Sequence, residues 1–172
     1  MIPIYIGISH RFDCIKGMTE RSILKHTSVP VKITYLYPEV EAGCTGFTNV
    51  RYTIRYGIYL DPDMIVLGDI AELWAYRRPG KFVCMQDGRT EVSVIDCEHG
   101  VRKKQEEARL PKVPIIPLEW NVRDAQRVDG QVRWIDRMPD NAKLLHFTWL
   151  DNQPWFHDHP VGELQEIYEQ YK

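Results

Sequence analysis

An apolar run, an amphipathic stretch and a second apolar run open the chain, and that order leaves few folds available to it. Residues 2–8 are almost wholly apolar and stop at Ser9-His10-Arg11, which suits a buried strand that ends in a loop able to carry function. Residues 13–27 space Ile15, Met18, Ile23 and Leu24 among polar side chains, the pattern of an amphipathic helix, and Val29–Leu36 reads as a second strand. A β-α-β opening favours a parallel strand pair joined by a right-handed crossover, and so an α/β sheet.

The remainder continues in kind. Pro38–Gly46 reads as a loop, and residues 47–55 suit either a short helix or extended chain. A third strand, Tyr56–Leu60, runs into Asp61-Pro62-Asp63, after which Met64–Leu67 is apolar again. Asp69 is placed to cap a short helix over 70–74. Strands are expected at 81–85, 92–96 and 144–147, an exposed charged helix at 98–109 and a closing helix at 161–171. Pro111, Pro114 and Pro117 exclude a helix between them. With no repeat or linker, residues 1–172 read as one domain, a mostly parallel central sheet flanked by helices.

Composition narrows the function. A net charge of −2 gives no basic footprint for nucleic acid. No window approaches the roughly 18 uninterrupted apolar residues that cross a bilayer, so no transmembrane segment is expected. The N-terminus lacks the charged and long apolar regions of a signal peptide. Cys14, Cys44, Cys84 and Cys97 show no CxxC spacing, which fits reduced thiols and a cytoplasmic setting.

The sharpest chemical feature is Asp61-Pro62-Asp63. Two carboxylates one residue apart at the end of a parallel strand lie where α/β sheets bind ligands. Such a pair can hold Mg²⁺ or Mn²⁺, which bridges diphosphate oxygens and offsets charge on a leaving group. Pro62 stiffens the loop between them. A solvated Asp-Pro-Asp turn is the alternative, and the flanking apolar runs argue against it.

The stretch Gly57-Ile58-Tyr59-Leu60-Asp61-Pro62-Asp63-Met64-Ile65-Val66-Leu67-Gly68-Asp69-Ile70-Ala71-Glu72-Leu73-Trp74 resembles the DxD region of the glycogenin-like and lipopolysaccharide galactosyltransferase-like glycosyltransferases, family 8 and its relatives. Ile4–Gly7 through Ser22–Leu24, Phe47–Tyr52, His146-Phe147-Thr148 and Gln153-Pro154-Trp155 resemble further segments of that family in the same order. The resemblance implies a GT-A fold, Rossmann-like in its sheet. It also implies a nucleotide-diphospho-sugar donor, expected to be a UDP-sugar, and a hydroxyl acceptor on a glycan or protein. By the same resemblance Asp61, Asp63 and His146 look like ligands of Mn²⁺ or Mg²⁺. The Gly7-Ile8-Ser9 turn looks like the site for base and ribose, where a small residue lets backbone approach the ligand. Arg11 and Arg51 are candidates for phosphate or carboxylate pairing, against a reading as ordinary surface cations.

Three departures from the family stand out. Gln153 occupies the place of a phosphate-binding lysine, in a loop one residue longer, and is expected to offer the diphosphate a neutral hydrogen bond. Thr90–Cys97 lacks the family's Asn-x-Gly motif, and Glu119-Trp120-Asn121 stands near the place of its Asp-Gln motif. The acceptor-side segment is short, which leaves the stereochemical outcome open. Catalytic carboxylates are sought at Glu91 first and at Asp87, with Glu119 and Asp124 as further candidates. A nucleotidyl- or phosphoryl-transfer enzyme is the first rival, but no GxxxxGK[ST] loop is present. A non-catalytic nucleotide- or sugar-binding relative is the second.

Overall fold

In the computed structural model the described residues are 1–37, 50–51, 53–97, 112–135, 137–148, 153–155 and 162–172. The loop expected at 38–46, most of the segment at 47–55 and the charged helix expected at 98–109 lie outside them.

Strands β1 (Ile2–Gly7), β2 (Val31–Leu36) and β3 (Tyr56–Leu60) form the parallel half of a sheet. Strands β5 (Lys81–Met85), β6 (Val92–Asp96) and β7 (Lys112–Ile116) complete it in the order β2-β1-β3-β6-β5-β7, and β6 alone in this sheet runs against its neighbours. The β-α-β opening takes the form the hydropathy dictates. Ile2, Ile4 and Ile6 point to one face with Ile58, Leu60, Val83, Met85, Val92 and Val94, and α1 (Met18–His26) covers them through Ile23. Helix α2 (Ile70–Trp74) adds Ile70 and Leu73 to this core, and Asp69 caps it by accepting from Ala71 N at 2.9 Å. Alternate residues, Tyr59, Phe82, Cys84 and Ile95, pack on the opposite face with Ile54 and Cys97.

A second sheet sets the geometry of the site. Strand β4 (Met64–Val66) pairs antiparallel with β11 (Leu144–His146), which pairs parallel with β8 (Val122–Arg123). Ile65 and Leu145 pack with Ile8, Phe12, Phe147 and, from the closing helix α3 (Glu163–Glu169), Leu164 and Tyr168. The chain therefore passes from one sheet to the other through Asp61-Pro62-Asp63. Helix α1 pins that crossing from below. The Thr19 hydroxyl lies 2.8 Å from the Pro62 carbonyl and 2.7 Å from that of Met64, and Ser22 Oγ accepts from Val66 N at 2.9 Å. All of these groups are buried, so each hydrogen bond is costly to lose.

Several elements differ from the expectations drawn from sequence. The stretch 13–27 is not one helix: a 3-10 turn over His10–Ile15 is separated from α1 by Gly17 at φ +104°. The proline-rich segment, which excluded a helix, holds strand β7, with Pro114 opposite Cys84 at the outer edge where a missing N–H is tolerated. Strands β9 (Ala125–Val128) and β10 (Gln131–Trp134) form a hairpin about Asp129-Gly130, both at positive φ, as a two-residue turn of the primed type needs. Among the described residues no helix is long and apolar enough to cross a membrane.

Gly57 is required by close approach. Its φ is +144°, and a Cβ there would lie 2.7 Å from the Pro3 carbonyl oxygen and 2.7 Å from the Tyr5 ring. Tyr5 can swing aside; the Pro3 backbone in β1 cannot. Gly57→Ala is therefore expected to destabilise the protein by about 1–3 kcal/mol, read as a lower midpoint of urea unfolding.

Candidate active site

Two carboxylates and an imidazole meet where the chain crosses between the sheets. Asp61 follows β3 and Asp63 precedes β4, at the carboxyl edge of the parallel strands. The β4–β11 register sets His146 opposite Met64, and Phe147 N donates to the Asp63 carbonyl at 3.0 Å. One ligand-capable atom from each of Asp61, Asp63 and His146 then lies within 4.8 Å of the others, and all three residues are buried. His146 Nε2 is 3.2 Å from Asp63 Oδ1.

Without a cation this arrangement works against itself. Burial first, and repulsion from Asp63 second, push the Asp61 carboxyl up to about 6, although Arg51 and His146 pull the other way. Burial is the largest single influence on His146 and opposes its charge, but Asp63 and then Asp61 and Glu91 together raise its pKa. The Tyr59 hydroxyl donates to Asp61 Oδ1 at 2.7 Å. Burial, and then the Asp61 charge, hold that phenol well above its ordinary pKa, so it remains a donor. Asp63 Oδ1 is buried and accepts no well-aligned hydrogen bond. An anionic oxygen in that condition, beside a second carboxylate and a ring nitrogen, is a donor set that a divalent cation fits.

The other sequence-derived residues fall into three groups. Gly7, Ile8 and Ser9 lie at the same edge, at the end of β1. Ile8 donates its N–H to the Leu36 carbonyl at 2.9 Å and buries its side chain in the core, so only its backbone can meet a ligand. The Arg51 guanidinium lies over the Tyr59 ring at 5.5 Å and its charge reaches Asp61. Gln153 is fully buried and turned inward: its amide donates to Asp63 Oδ2 at 3.1 Å and to the Phe147 carbonyl at 3.0 Å. In this structure the residue expected to face a phosphate turns instead to the Asp63 carboxylate.

Glu91 borders the site through its carbonyl, which accepts from Asp61 N at 3.3 Å, while its carboxylate pairs with Arg123 at 2.6 Å. Asp87 stands apart in the β5–β6 turn, paired with Arg89 at 2.5 Å. Arg11 is exposed on the 3-10 turn. Asp124 is fully buried and braces the strand exit, its carboxylate accepting from Thr148 N at 2.9 Å and Thr148 Oγ1 at 3.0 Å. Glu119 is held by Asn141 at 3.2 Å and Lys143 at 3.5 Å.

Sequence reasoning does not single out two residues that contact the cluster. Tyr59 has a signal, because i and i+2 of a strand share a face and Asp61 follows it by two. Asn121, whose Oδ1 is 2.8 Å from His146 Nδ1, has only its place in Glu119-Trp120-Asn121, near where the family's Asp-Gln motif stands. Beside Asn121 opens a cleft of about 830 Å³ lined by Arg89, Glu119, Arg123, Gln126, Asn141 and Thr148 among others.

No protein-family model matches the sequence, and no curated protein matches it. Solved structures do match in fold. The glycosyltransferase GlyE of Streptococcus pneumoniae TIGR4 superposes with a TM-score of 0.67 at 15% identity, over 99% of this chain and 60% of that one. The fold is that of the GT-A glycosyltransferases. The bifunctional glycosyltransferase WbbM gives a TM-score of 0.64 at 11% identity, over 99% of this chain and 49% of its own. The galactosyltransferase LgtC, solved in complex with donor and acceptor sugar analogues, gives 0.63 at 10% identity, over 98% of this chain and 94% of its own. This GT-A chain spans three-fifths or less of the length of GlyE and WbbM.

The Asp61 shift has a direct consequence for stability. Its carboxyl moves from an ordinary 3.8 to about 6 in the metal-free fold. A raised folded pKa favours the protonated form, so its stabilising contribution is complete below the ordinary value and is lost as pH rises through about 6. In EDTA, this contribution to Tm is expected to fall as pH rises from the ordinary 3.8 to about 6 and to be gone above it. A divalent cation should restore it at the higher pH. Asp61→Asn should flatten both effects in the same thermal scans.

Proposed function

We propose that this chain is a divalent-metal-dependent glycosyltransferase, which passes a hexosyl or deoxyhexosyl unit from a UDP-sugar to a hydroxyl of a glycan or protein acceptor. The observation that carries this reading is the convergence of Asp61, Asp63 and His146 at the junction of the two sheets in a GT-A fold. Residues 1–172 act as one catalytic domain, in the cytoplasm, where thiols such as those of Cys14, Cys84 and Cys97 stay reduced.

Asp61, Asp63 and His146 would hold Mn²⁺ or Mg²⁺, which would supply positive charge to offset that of the departing diphosphate. The backbone of Gly7–Ser9 receives uracil and ribose, and Pro62 keeps the carboxylates on either side of it in place. Arg51 adds positive charge next to Asp61, on the side where the phosphates approach, and Arg11 extends that charge toward solvent. Arg123 keeps the Glu91 carboxylate paired, so Glu91 serves to stabilise positive charge at the anomeric carbon rather than to accept a proton. Asp87, on the same turn, is the second carboxylate available to the donor's hydroxyls. The exchange balances simply. The bond from anomeric carbon to the diphosphate oxygen breaks, a bond to the acceptor oxygen forms, and the acceptor's proton leaves to solvent or to the released diphosphate.

The test is binding and turnover with the parent and Asp63→Ala. Calorimetric titration of UDP should show an affinity that depends on Mn²⁺ in the parent and not in the variant, with the circular dichroism of the two alike. UDP should bind more tightly than GDP, because a purine must displace the loop after Gly7. Slow release of UDP from a UDP-sugar without acceptor marks a catalyst. Metal-dependent binding with no release from any donor would favour a non-catalytic relative, and equal binding by Asp63→Ala would end the metal-site reading.

A further inference from the structure

Two of the three clustered side chains are held from behind by carboxamides. Asn121 is 2% exposed and Gln153 is fully buried. Asn121 Oδ1 meets His146 Nδ1 at 2.8 Å, and Gln153 Nε2 meets Asp63 Oδ2 at 3.1 Å. The atoms left over, His146 Nε2 and Asp63 Oδ1, face each other at 3.2 Å. We propose that Asn121 and Gln153 are a matched pair of positioning residues, one supplying an acceptor and the other a donor, that aim His146 Nε2 and Asp63 Oδ1 at a single divalent cation. The inference rests on the reading of Asp61, Asp63 and His146 as a metal site.

The two amides have opposite duties. An imidazole that ligates through Nε2 must keep its proton on Nδ1, and that proton needs an oxygen. Asn121 provides it. A carboxylate that ligates through Oδ1 leaves Oδ2 anionic and in need of an N–H, which Gln153 provides. The orientation of Gln153 is settled by its surroundings, because its nitrogen lies between Asp63 Oδ2 and the Phe147 carbonyl at 3.0 Å, and both are acceptors only. In the structure Asn121 turns its Oδ1, an acceptor only, to His146 Nδ1, the orientation that a ring ligating through Nε2 requires.

Both amides leave their other end unused. Among the described residues, Asn121 Nδ2 and Gln153 Oε1 are buried without a hydrogen-bond partner. Each such atom is taken out of water without a hydrogen bond in exchange, which opposes folding. Neutrality also has a reason. A third carboxylate at position 153 would repel Asp63, whereas one at position 121 would still accept the Nδ1 proton.

That asymmetry is the test. Mn²⁺ binding is measured by electron paramagnetic resonance of the free ion, with folding checked by circular dichroism and Tm in EDTA. Asn121→Asp is expected to keep the parent's Mn²⁺ affinity within about threefold, and Gln153→Glu to lose about tenfold or more. Asn121→Leu and Gln153→Met should each lose about ten- to hundredfold. A packing role alone would make the two carboxylate variants equally harmful, or leave the two apolar variants binding as the parent does. Either result overturns the proposal. Should an apolar variant fail to fold, the carboxylate pair still decides, together with imidazole ¹⁵N shifts of the parent loaded with diamagnetic Mg²⁺, in which the His146 ring must carry its proton on Nδ1. An Nε2–H tautomer would refute the assignment. Loss of Mn²⁺ binding in Asp63→Ala, with indifference to both amides, would sink this inference alone; a parent that binds no Mn²⁺ would sink the metal reading with it.

Discussion

Two carboxylates held out of water within reach of each other are the constraint that the rest of this structure answers. Burial and repulsion both oppose the ionised state of Asp61, so the fold must supply compensation from every side. Tyr59 donates from the strand below, Gln153 from the segment after β11, and the Arg51 charge lies over the Tyr59 ring. None of these neutralises the pair. The result is a buried acidic centre with an imidazole on its rim, a donor set that suits a divalent cation.

Precision at that centre comes from its placement at a seam. One carboxylate ends a strand of the six-stranded sheet, the other begins a strand of the three-stranded sheet, and each sheet has its own buried cluster. Helix α1 ties the seam down through Thr19 and Ser22, so the three residues between the sheets have little freedom to drift. The hydrogen bond from Phe147 N to the Asp63 carbonyl fastens the histidine strand to the same point. Rigid elements on both sides, and no long loop among the three residues themselves, are what a site with preset geometry needs.

The solved glycosyltransferases share this architecture at 10–15% identity, a level at which side-chain detail is free to change while the layering persists. Position 153 illustrates the freedom. A lysine there would bring a full charge toward a diphosphate; glutamine brings a short neutral donor that turns inward to Asp63. The positive charge near the site then rests on arginines, Arg51 at Asp61 and Arg123 at Glu91.

Much of the sheet is legible in the chain because strand period and helix period are local properties. The β-α-β opening, β5 and β6, the Asp69 cap and the crossing at Asp61-Pro62-Asp63 all arise from alternation, punctuation and capping within a few residues. Where local rules compete, the sequence misleads: Gly17 divides the first helical stretch. The prolines rightly exclude a helix but give no sign of β7, which tolerates them because it lies at an edge. The hairpin at Asp129-Gly130 carries its turn signal openly, in an Asp-Gly pair between two short strands too polar to stand out as such. By itself the sequence determined that two carboxylates stand at the end of a buried strand, since that depends only on an apolar run and the residues directly after it. The tertiary structure decided which atoms of those carboxylates face inward, that His146 lies one register step from Asp63, and that Asn121 and Gln153 hold them there. Those contacts join residues 25 and 90 positions apart, and only the pairing of β4, β8 and β11, a matter of packing between sheets, brings such residues within a hydrogen bond of each other.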